Sequence, residues 1–385
     1  MHEIYMDNAA TTRPAESVVS LMNEVFLSDY GNPSALHLKG IDAEDRVKKA
    51  TGQIAATLRC KEKELIFTSG GTESNNLALI GAALAYQRRG RHIISTAIEH
   101  PSVKKTLDFL ETLDFRITKL PVDETGRVSA EAVKEAICDE TILVSVMFVN
   151  NEIGSVNPIG EIGNMLKTTY PDVIFHVDAV QGYGKFKIAP HTMGVDLLSV
   201  SSHKIHGPKG AGFLYIREGV RVQPILFGGG QQKNLRSGTL NVPGIAGTGL
   251  AGEEAYLKFE EKTEVLAALR ELLREELSQL EDVTVLTPKA PYCAPHIINA
   301  CFAGVRSEVL LHALEDKGIY VSSGSACASH HPSDKSTLME MGYPKEVTDS
   351  VIRFSLSGYN TKDEITEVIG ALKELLPVLR RFTRR

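Results

Sequence analysis

Lys204 stands in the stretch SSHKIHGPKG, residues 201 to 210, and twenty-six residues before it the apolar run VIFHVDAVQ closes a predicted strand on Asp178. A lysine among small, polar and glycine residues is poorly placed as a surface charge, and an aspartate ending a buried strand needs a cationic or hydrogen-bonding partner. A pyridoxal 5'-phosphate cofactor meets both needs, because its aldehyde forms a Schiff base with a lysine and its ring nitrogen stays protonated only against a carboxylate. Each residue alone also has an ordinary reading: Lys204 as a solvated lysine in a Gly/Pro turn, Asp178 as a turn cap. The chemical reading needs other segments to agree.

Three segments do. TSGGTESNN, residues 68 to 76, sets Gly70, Gly71 and Thr72 before a helical pattern, so amides at a helix N-terminus are available for a phosphate. RSGTLNVP, residues 236 to 243, offers Arg236, Ser237 and Thr239 in a glycine-containing loop, a second group able to reach phosphate. In AIEHPS, His100 closes a strand where an imidazole could stack on a cofactor ring and move protons near neutral pH.

The elements that must position these residues are legible around them. HIIST near 92, FRITKL near 115, ILVSVMFV near 142, VIFHVD near 173, LLSVSS near 197 and AGFLYI near 211 alternate with helical periodicity. Their near-continuous apolar character predicts an α/β domain with a mainly parallel sheet covered by helices on both faces, and ligands at the carboxyl ends of its strands. Residues 244 to 281 read as strongly helical, TPKAPYCAP at 287 to 295 breaks the pattern, and the remainder reads as a smaller α+β unit. The expected division is a large domain at 15–255 and a small one at 256–385, joined by residues 1–14.

Composition sets the outer limits. The chain has 385 residues, 43% of them hydrophobic, enough for a sizeable core. Its net charge of -6 offers no general attraction to nucleic acid or anionic membranes, and its longest apolar stretch is too short to span a bilayer, so a cytoplasmic protein is expected. Five cysteines, at 60, 138, 293, 301 and 327, are scattered and argue against a disulfide framework. Cys138 and Cys301, in apolar surroundings, read as buried structural thiols. Cys327, in SSGSACASHHPSDKS, lies in a glycine- and serine-rich run without hydrophobic periodicity, which predicts a loop thiol able to ionise and attack an electrophilic sulfur. His330 and His331 are near enough in sequence to assist. A metal site built on Cys327, His330 and His331 lacks a visible fourth ligand, so no metal is expected.

Taken together, MDNAATT, GNPSALH, TSGGTESNN, EHPS, VNNEIG, HVDAVQ, SSHKIHGPKG, RSGT, SSGSACAS and IRFSLS resemble, in order and over nearly the whole chain, the cysteine desulfurases of the NifS/IscS type. These are class V members of the fold-type I pyridoxal-phosphate enzymes. The resemblance implies that Lys204 carries the cofactor, Asp178 pairs with its ring nitrogen and His100 stacks on the ring. Gln181 and Asn151 would contact the cofactor oxygen or the substrate. Gly71, Thr72, Ser201 and His203 would hold the phosphate, with Thr239 supplied by the neighbouring subunit of a homodimer. Arg353 would clamp the substrate carboxylate through its paired donors, helped by Asn32. L-Cysteine would become L-alanine, and its sulfur would rest on Cys327 as a persulfide before passing to an acceptor such as an iron–sulfur scaffold or a tRNA-thiolation enzyme.

After SSGSAC this chain reads ASHHPSDKS, a departure from the family pattern that bears on partner choice. The Lys204–Asp178 pair would serve a selenocysteine lyase or an aminotransferase equally well, although an aminotransferase has no use for the SGSAC thiol. A sulfur-carrying subunit with little turnover of its own would keep the same fold. A nucleotide-binding protein is disfavoured because neither GxxxxGK[ST] nor GxGxxG occurs at residues 70 and 71.

Overall fold

The computed structural model describes residues 3–323 and 336–383. Cys327, His330 and His331 lie outside the described residues. The strands, in chain order, are β1 (Ile4–Tyr5), β2 (Leu65–Thr68), β3 (His92–Thr96), β4 (Arg116–Leu120), β5 (Thr141–Met147), β6 (Ile174–Asp178), β7 (Leu197–Ser201), β8 (Gly212–Ile216), β9 (Val283–Val285), β10 (Ile297–Phe302), β11 (Ile319–Tyr320), β12 (Ser322–Ser323) and β13 (Val351–Ser355).

Seven of them form the main sheet, in the order β2-β8-β7-β6-β5-β3-β4. Every residue of β5, β6 and β7 is buried, as their continuous apolar sequence requires of strands covered on both faces. β3, β4, β5, β6 and β7 pair in parallel, whereas β8 runs antiparallel to both β7 and β2. Chain progression runs outward from β3 to β4 on one side and from β5 to β7 on the other. The order therefore reverses between β3 and β5, and the loops leaving these two strands meet there. Asn150 Nδ2 donates to the Ile98 carbonyl across that junction at 3.2 Å.

A second, four-stranded sheet, in the order β12-β13-β10-β9, is antiparallel. It packs with the helices Phe259–Ser278, Ser307–Glu315 and Lys362–Thr383 around its own core of Leu269, Leu273, Phe302, Leu310, Phe354 and Leu372. Ile4 and Met6 belong to that core, while Ala9 and Ala15 belong to the core of the main sheet. The α/β architecture with a mainly parallel sheet and a smaller α+β part agrees with the sequence reading.

One local reading, that of Cys138, needs correction, and two features went unforeseen. Residues 244 to 281 are not one helix: Val242–Tyr256 and Phe259–Ser278 are separated at Lys258, whose φ of 53° turns the chain. The first is small-residue rich and packs backbone-close, since a Cβ on Gly249 would lie 2.5 Å from Ala50 Cα; the second is amphipathic and serves the other core. β2, a short apolar run beside a charged turn, had no clear strand signature. Cys301 is buried as expected, but Cys138 is exposed, because its sulfur meets Arg116 Nη2 at 3.0 Å on the protein surface. Among the described residues no helix is long and apolar enough to cross a membrane.

His176, in the middle of β6, is fully buried between Ser145 and Ser199, and burial pushes its pKa down to about 3. Below the ordinary histidine value the unfolded chain binds a proton that the folded chain refuses. This contribution is therefore present above about pH 6.5 and is lost as pH falls toward the folded-state value. His176→Asn should flatten the acid limb of stability, removing about 2 kcal/mol of the loss between about pH 6.5 and pH 5 at roughly 1.4 kcal/mol per pH unit. Urea titrations at both pH values check this; an unchanged acid dependence would assign the sensitivity to other groups.

Candidate active site

The carboxyl ends of β5, β6 and β7 open into a cavity of about 350 Å³. Its wall includes Gly71, Thr72, His100, Asn151, Asp178, Gln181, Ser201, His203, Lys204 and Arg353. Ten residues separated by up to 282 positions in the chain thus converge on one space. Asn32 and Thr239 do not line it; both are exposed.

Lys204 ends a short 3₁₀ turn, Ser202–Lys204, that follows β7 directly. Its Nζ donates to the carbonyls of Ala9 and Ala10, both at 2.6 Å. The N-terminal segment is fixed against the same turn: Thr12 N donates to the His203 carbonyl at 2.8 Å, and His203 Nδ1 meets Thr11 Oγ1 at 3.1 Å. Burial and the Lys204 charge push His203 down to about 4, so it stays neutral beside the lysine.

Asp178 is buried at the end of β6, with Oδ1 accepting the Val180 amide at 3.0 Å and Oδ2 accepting Asn75 Nδ2 at 2.8 Å. The second Asn75 amide hydrogen goes to Ser102 Oγ at 2.9 Å. Ser102 in turn meets His100 Nδ1 at 2.8 Å through its hydroxyl and donates its amide to the same nitrogen at 3.1 Å. An amide donor at Nδ1 requires a lone pair there, so the neutral His100 ring carries its proton at Nε2. Burial holds His100 below its usual range; Asp178 opposes that shift, and Lys204 and Lys104 add to it. Asn75 therefore ties the carboxylate to the imidazole. Sequence reading passed over Asn75; its signal was a position four residues after Gly71, one turn along the same helix.

The helix Gly71–Tyr86 points its N-terminus at this cavity. Gly70 precedes it at φ 144°, a conformation that favours glycine. A Cβ on Gly71 would lie 2.7 Å from Val180 Cγ2, so the turn is glycine for close approach as well. Helix geometry leaves the amides of Gly71 and Thr72 without intrahelical acceptors. Arg236, by contrast, is held by Glu73 at 2.8 Å, an ion pair that secures the 236–239 loop to this helix.

Across the cavity Arg353 rises from β13, with Nη1 on the Asn151 carbonyl at 2.8 Å and Nη2 on Asp7 Oδ1 at 2.7 Å. Its Nε is buried without a partner among the described residues. Asp7 is a second residue the sequence reading missed. Glu152, also in the wall, accepts the Thr337 amide at 3.0 Å, and burial pushes its carboxyl up. Gln181 bridges Ala9 O and His296.

The residues present fit a pyridoxal-phosphate group. The cavity offers an amine for its aldehyde, a fixed buried carboxylate for its ring nitrogen, and helix amides with Ser201 and His203 for its phosphate. No group of three or more His, Cys, Asp or Glu able to hold a metal occurs among the described residues.

Comparison with known proteins agrees with this geometry. The model of the family described as aminotransferase class-V matches residues 4–368. The cysteine desulfurase IscS of Dictyoglomus turgidum is 41% identical over 382 residues, covering 99% of this chain and 96% of that one. A solved NifS-like protein superposes with a TM-score of 0.92 at 36% identity, covering 98% of this chain and all of the other. The structure titled SspA in complex with cysteine gives a TM-score of 0.81 at 33% identity, covering 93% of this chain and 100% of that one. With a common architecture and similarity along almost its entire length, the chain belongs to the aminotransferase class-V family of pyridoxal-phosphate enzymes, among the relatives named NifS and IscS.

Proposed function

We propose that the protein is a cysteine desulfurase, converting L-cysteine to L-alanine and taking the sulfur onto Cys327 as a persulfide. One observation carries this reading: of the two described ends flanking the Cys327 segment, one lines the cavity that holds Lys204 and Asp178 and the other is bonded to a residue of its wall. Ser322 and Ser323 line the cavity where the chain enters residues 324–335, and Thr337, just beyond, is bonded to the cavity residue Glu152. An aminotransferase of the same family has no need of a thiol returned to this place.

The cofactor, when bound at Lys204, supplies an electron sink for the negative charge that develops at the substrate Cα. Arg353 binds the substrate carboxylate, its unpartnered Nε and remaining Nη hydrogens supplying donors beyond those used by Asn151 and Asp7. Lys204, which would carry the cofactor, supplies the amine that takes the Cα proton. His100, neutral with its proton at Nε2, acts as a donor beside the reacting atoms. Cys327 thiolate then attacks the substrate sulfur: a new S–S bond forms, the Cβ–S bond breaks, and its electron pair remains with carbon, which is protonated on the way to alanine. Gly71, Thr72, Ser201 and His203 would hold the phosphate, and Gln181 and Asn151 would contact the cofactor oxygen or the substrate.

The working unit we propose is a homodimer in which Thr239 completes the neighbour's phosphate site. Thr239 is exposed in its own chain, and Leu27, Tyr30, Leu36, Leu38 and Phe227 expose apolar surface on loops and helices of the same domain. The large domain spans residues 15–255 and the small one 256–385, with residues 1–14 between them. The sulfur passes to an acceptor such as an iron–sulfur scaffold or a tRNA-thiolation enzyme.

Lys204→Ala should abolish both the visible absorbance of the bound cofactor and alanine formation from cysteine. Cys327→Ala should keep the absorbance and the spectral change on adding cysteine but lose alanine formation in the presence of a thiol reductant. Alanine or sulfide released by Cys327→Ala at the wild-type rate would sink the persulfide route.

Arg353→Lys keeps the positive charge but loses the paired donors, so KM for cysteine should rise roughly tenfold or more with a smaller change in kcat. Steady-state kinetics on the two enzymes decide this, and an unchanged KM would place the substrate carboxylate elsewhere.

A further inference from the structure

A second cavity, of about 230 Å³, lies between the two cores on the side of Lys185, behind the Lys204 turn, and shares no lining residue with the active-site cavity. Ala15, Ile205, Ala251 and Ala255 give it an apolar wall from the main-sheet domain, and Leu266 closes it from the other core. Its polar character is cationic: Lys185 and Lys262 both line it. Lys262 Nζ donates to the Glu254 carbonyl at 2.6 Å, leaving further hydrogens on the same ammonium. Lys185 Nζ has no hydrogen-bond acceptor and no carboxylate within ion-pair distance among the described residues. Glu254 also lines the cavity, and no ion pair joins its carboxylate to either lysine among the described residues. His206 donates Nδ1–H to the Arg13 carbonyl, and burial with the Lys185 charge pushes its pKa down to about 4 against that bond, so the ring is uncharged. Lys185 is half-buried and Lys262 exposed, and two ammonium groups beside one space repel each other unless an anion joins them. Burial and the Lys262 charge accordingly pull the Lys185 pKa down to about 8.

We propose that this cavity is a second ligand site, taking a small aliphatic carboxylate whose anionic end lies at Lys185 and Lys262 and whose apolar body lies along Ala15, Ile205, Ala251, Ala255 and Leu266. An anion there supplies the missing counter-charge and touches residues of both cores at once, so its binding stabilises the docking of one on the other. The inference stands on the cavity alone and is independent of the reaction performed at Lys204.

Ligand-observed NMR on the cofactor-loaded enzyme, with butyrate as probe and its neutral amide, butyramide, as control, tests the site. Butyrate should give a saturable signal that persists in excess L-alanine, which competes for the Arg353 cavity, and butyramide should give none. Lys185→Met and Lys262→Met should each weaken butyrate by about tenfold or more. Lys262→Met and the butyrate–butyramide contrast on wild type keep the test decisive should Lys185→Met fold poorly. No saturable butyrate signal, equal signals from acid and amide, displacement by alanine, or undiminished binding by Lys262→Met would each overturn the proposal.

Discussion

The arrangement depends on one stretch of main chain, residues 4 to 12, that is bonded to both halves of the molecule. β1 pairs with β11, and Ile4 and Met6 are fully buried in the core of the smaller sheet. Asn8 donates to the Ser355 carbonyl at 2.9 Å, and Asp7 holds Arg353. A few residues on, the carbonyls of Ala9 and Ala10 receive Lys204, and Thr12 is bonded to His203. The amine on the main sheet and the guanidinium on β13 therefore share a single strap, and their separation is set by a handful of peptide units rather than by side-chain packing between domains. A catalytic pair contributed by two cores would otherwise inherit every small motion of one core against the other.

Around that strap, burial removes charge selectively. His203 and His100 are pushed below their ordinary range, chiefly by desolvation, and His296 well below it. Burial raises Glu152, and lifts Glu99, next to His100, to about 8. At neutral pH His203 is uncharged and Glu99 largely protonated. The cationic side chains left in the wall are Lys204 and Arg353, facing Asp178, whose carboxylate is held by Asn75 and the Val180 amide. A neutral surrounding makes each remaining charge act at longer range than it would in water. Glu99 illustrates the economy: protonated, it adds no negative charge beside Asp178, while its Oε1 still accepts Thr96 and the Met147 amide.

How far sequence reveals such a site depends on whether a residue acts through its own type or through its neighbours. Lys204 and Asp178 were legible because a lysine among glycines and an aspartate ending an apolar strand are both out of place in type. The parallel strands were legible because burial on both faces leaves a continuous apolar run. Asn75 and Asp7 were not, because an asparagine inside a helix and an aspartate in a polar N-terminal segment are unremarkable until the fold sets them opposite Asp178 and Arg353. The break at Lys258 was hidden for a related reason. Helical periodicity continues across it, and only the change of packing partner, from Ala50 to the second core, shows why the chain must turn. Cys138 misled in the opposite sense, since apolar neighbours in sequence say nothing of the edge on which its strand connection surfaces.

The two withdrawn lysines make the same point in chemical terms. Lys185 and Lys204 each follow a glycine- or serine-rich turn after a strand of the main sheet. Their surroundings separate them. The Lys204 ammonium is met by main-chain carbonyls and faces a cavity containing a carboxylate, so a neutral amine can be formed there during a reaction and its charge restored afterwards. Lys185 faces another cation and an apolar wall, and no carboxylate of the described residues is bonded to it. A lysine in the first setting can act as a reversible base, whereas one in the second can lower its free energy only by losing its proton or by gaining an anion from outside.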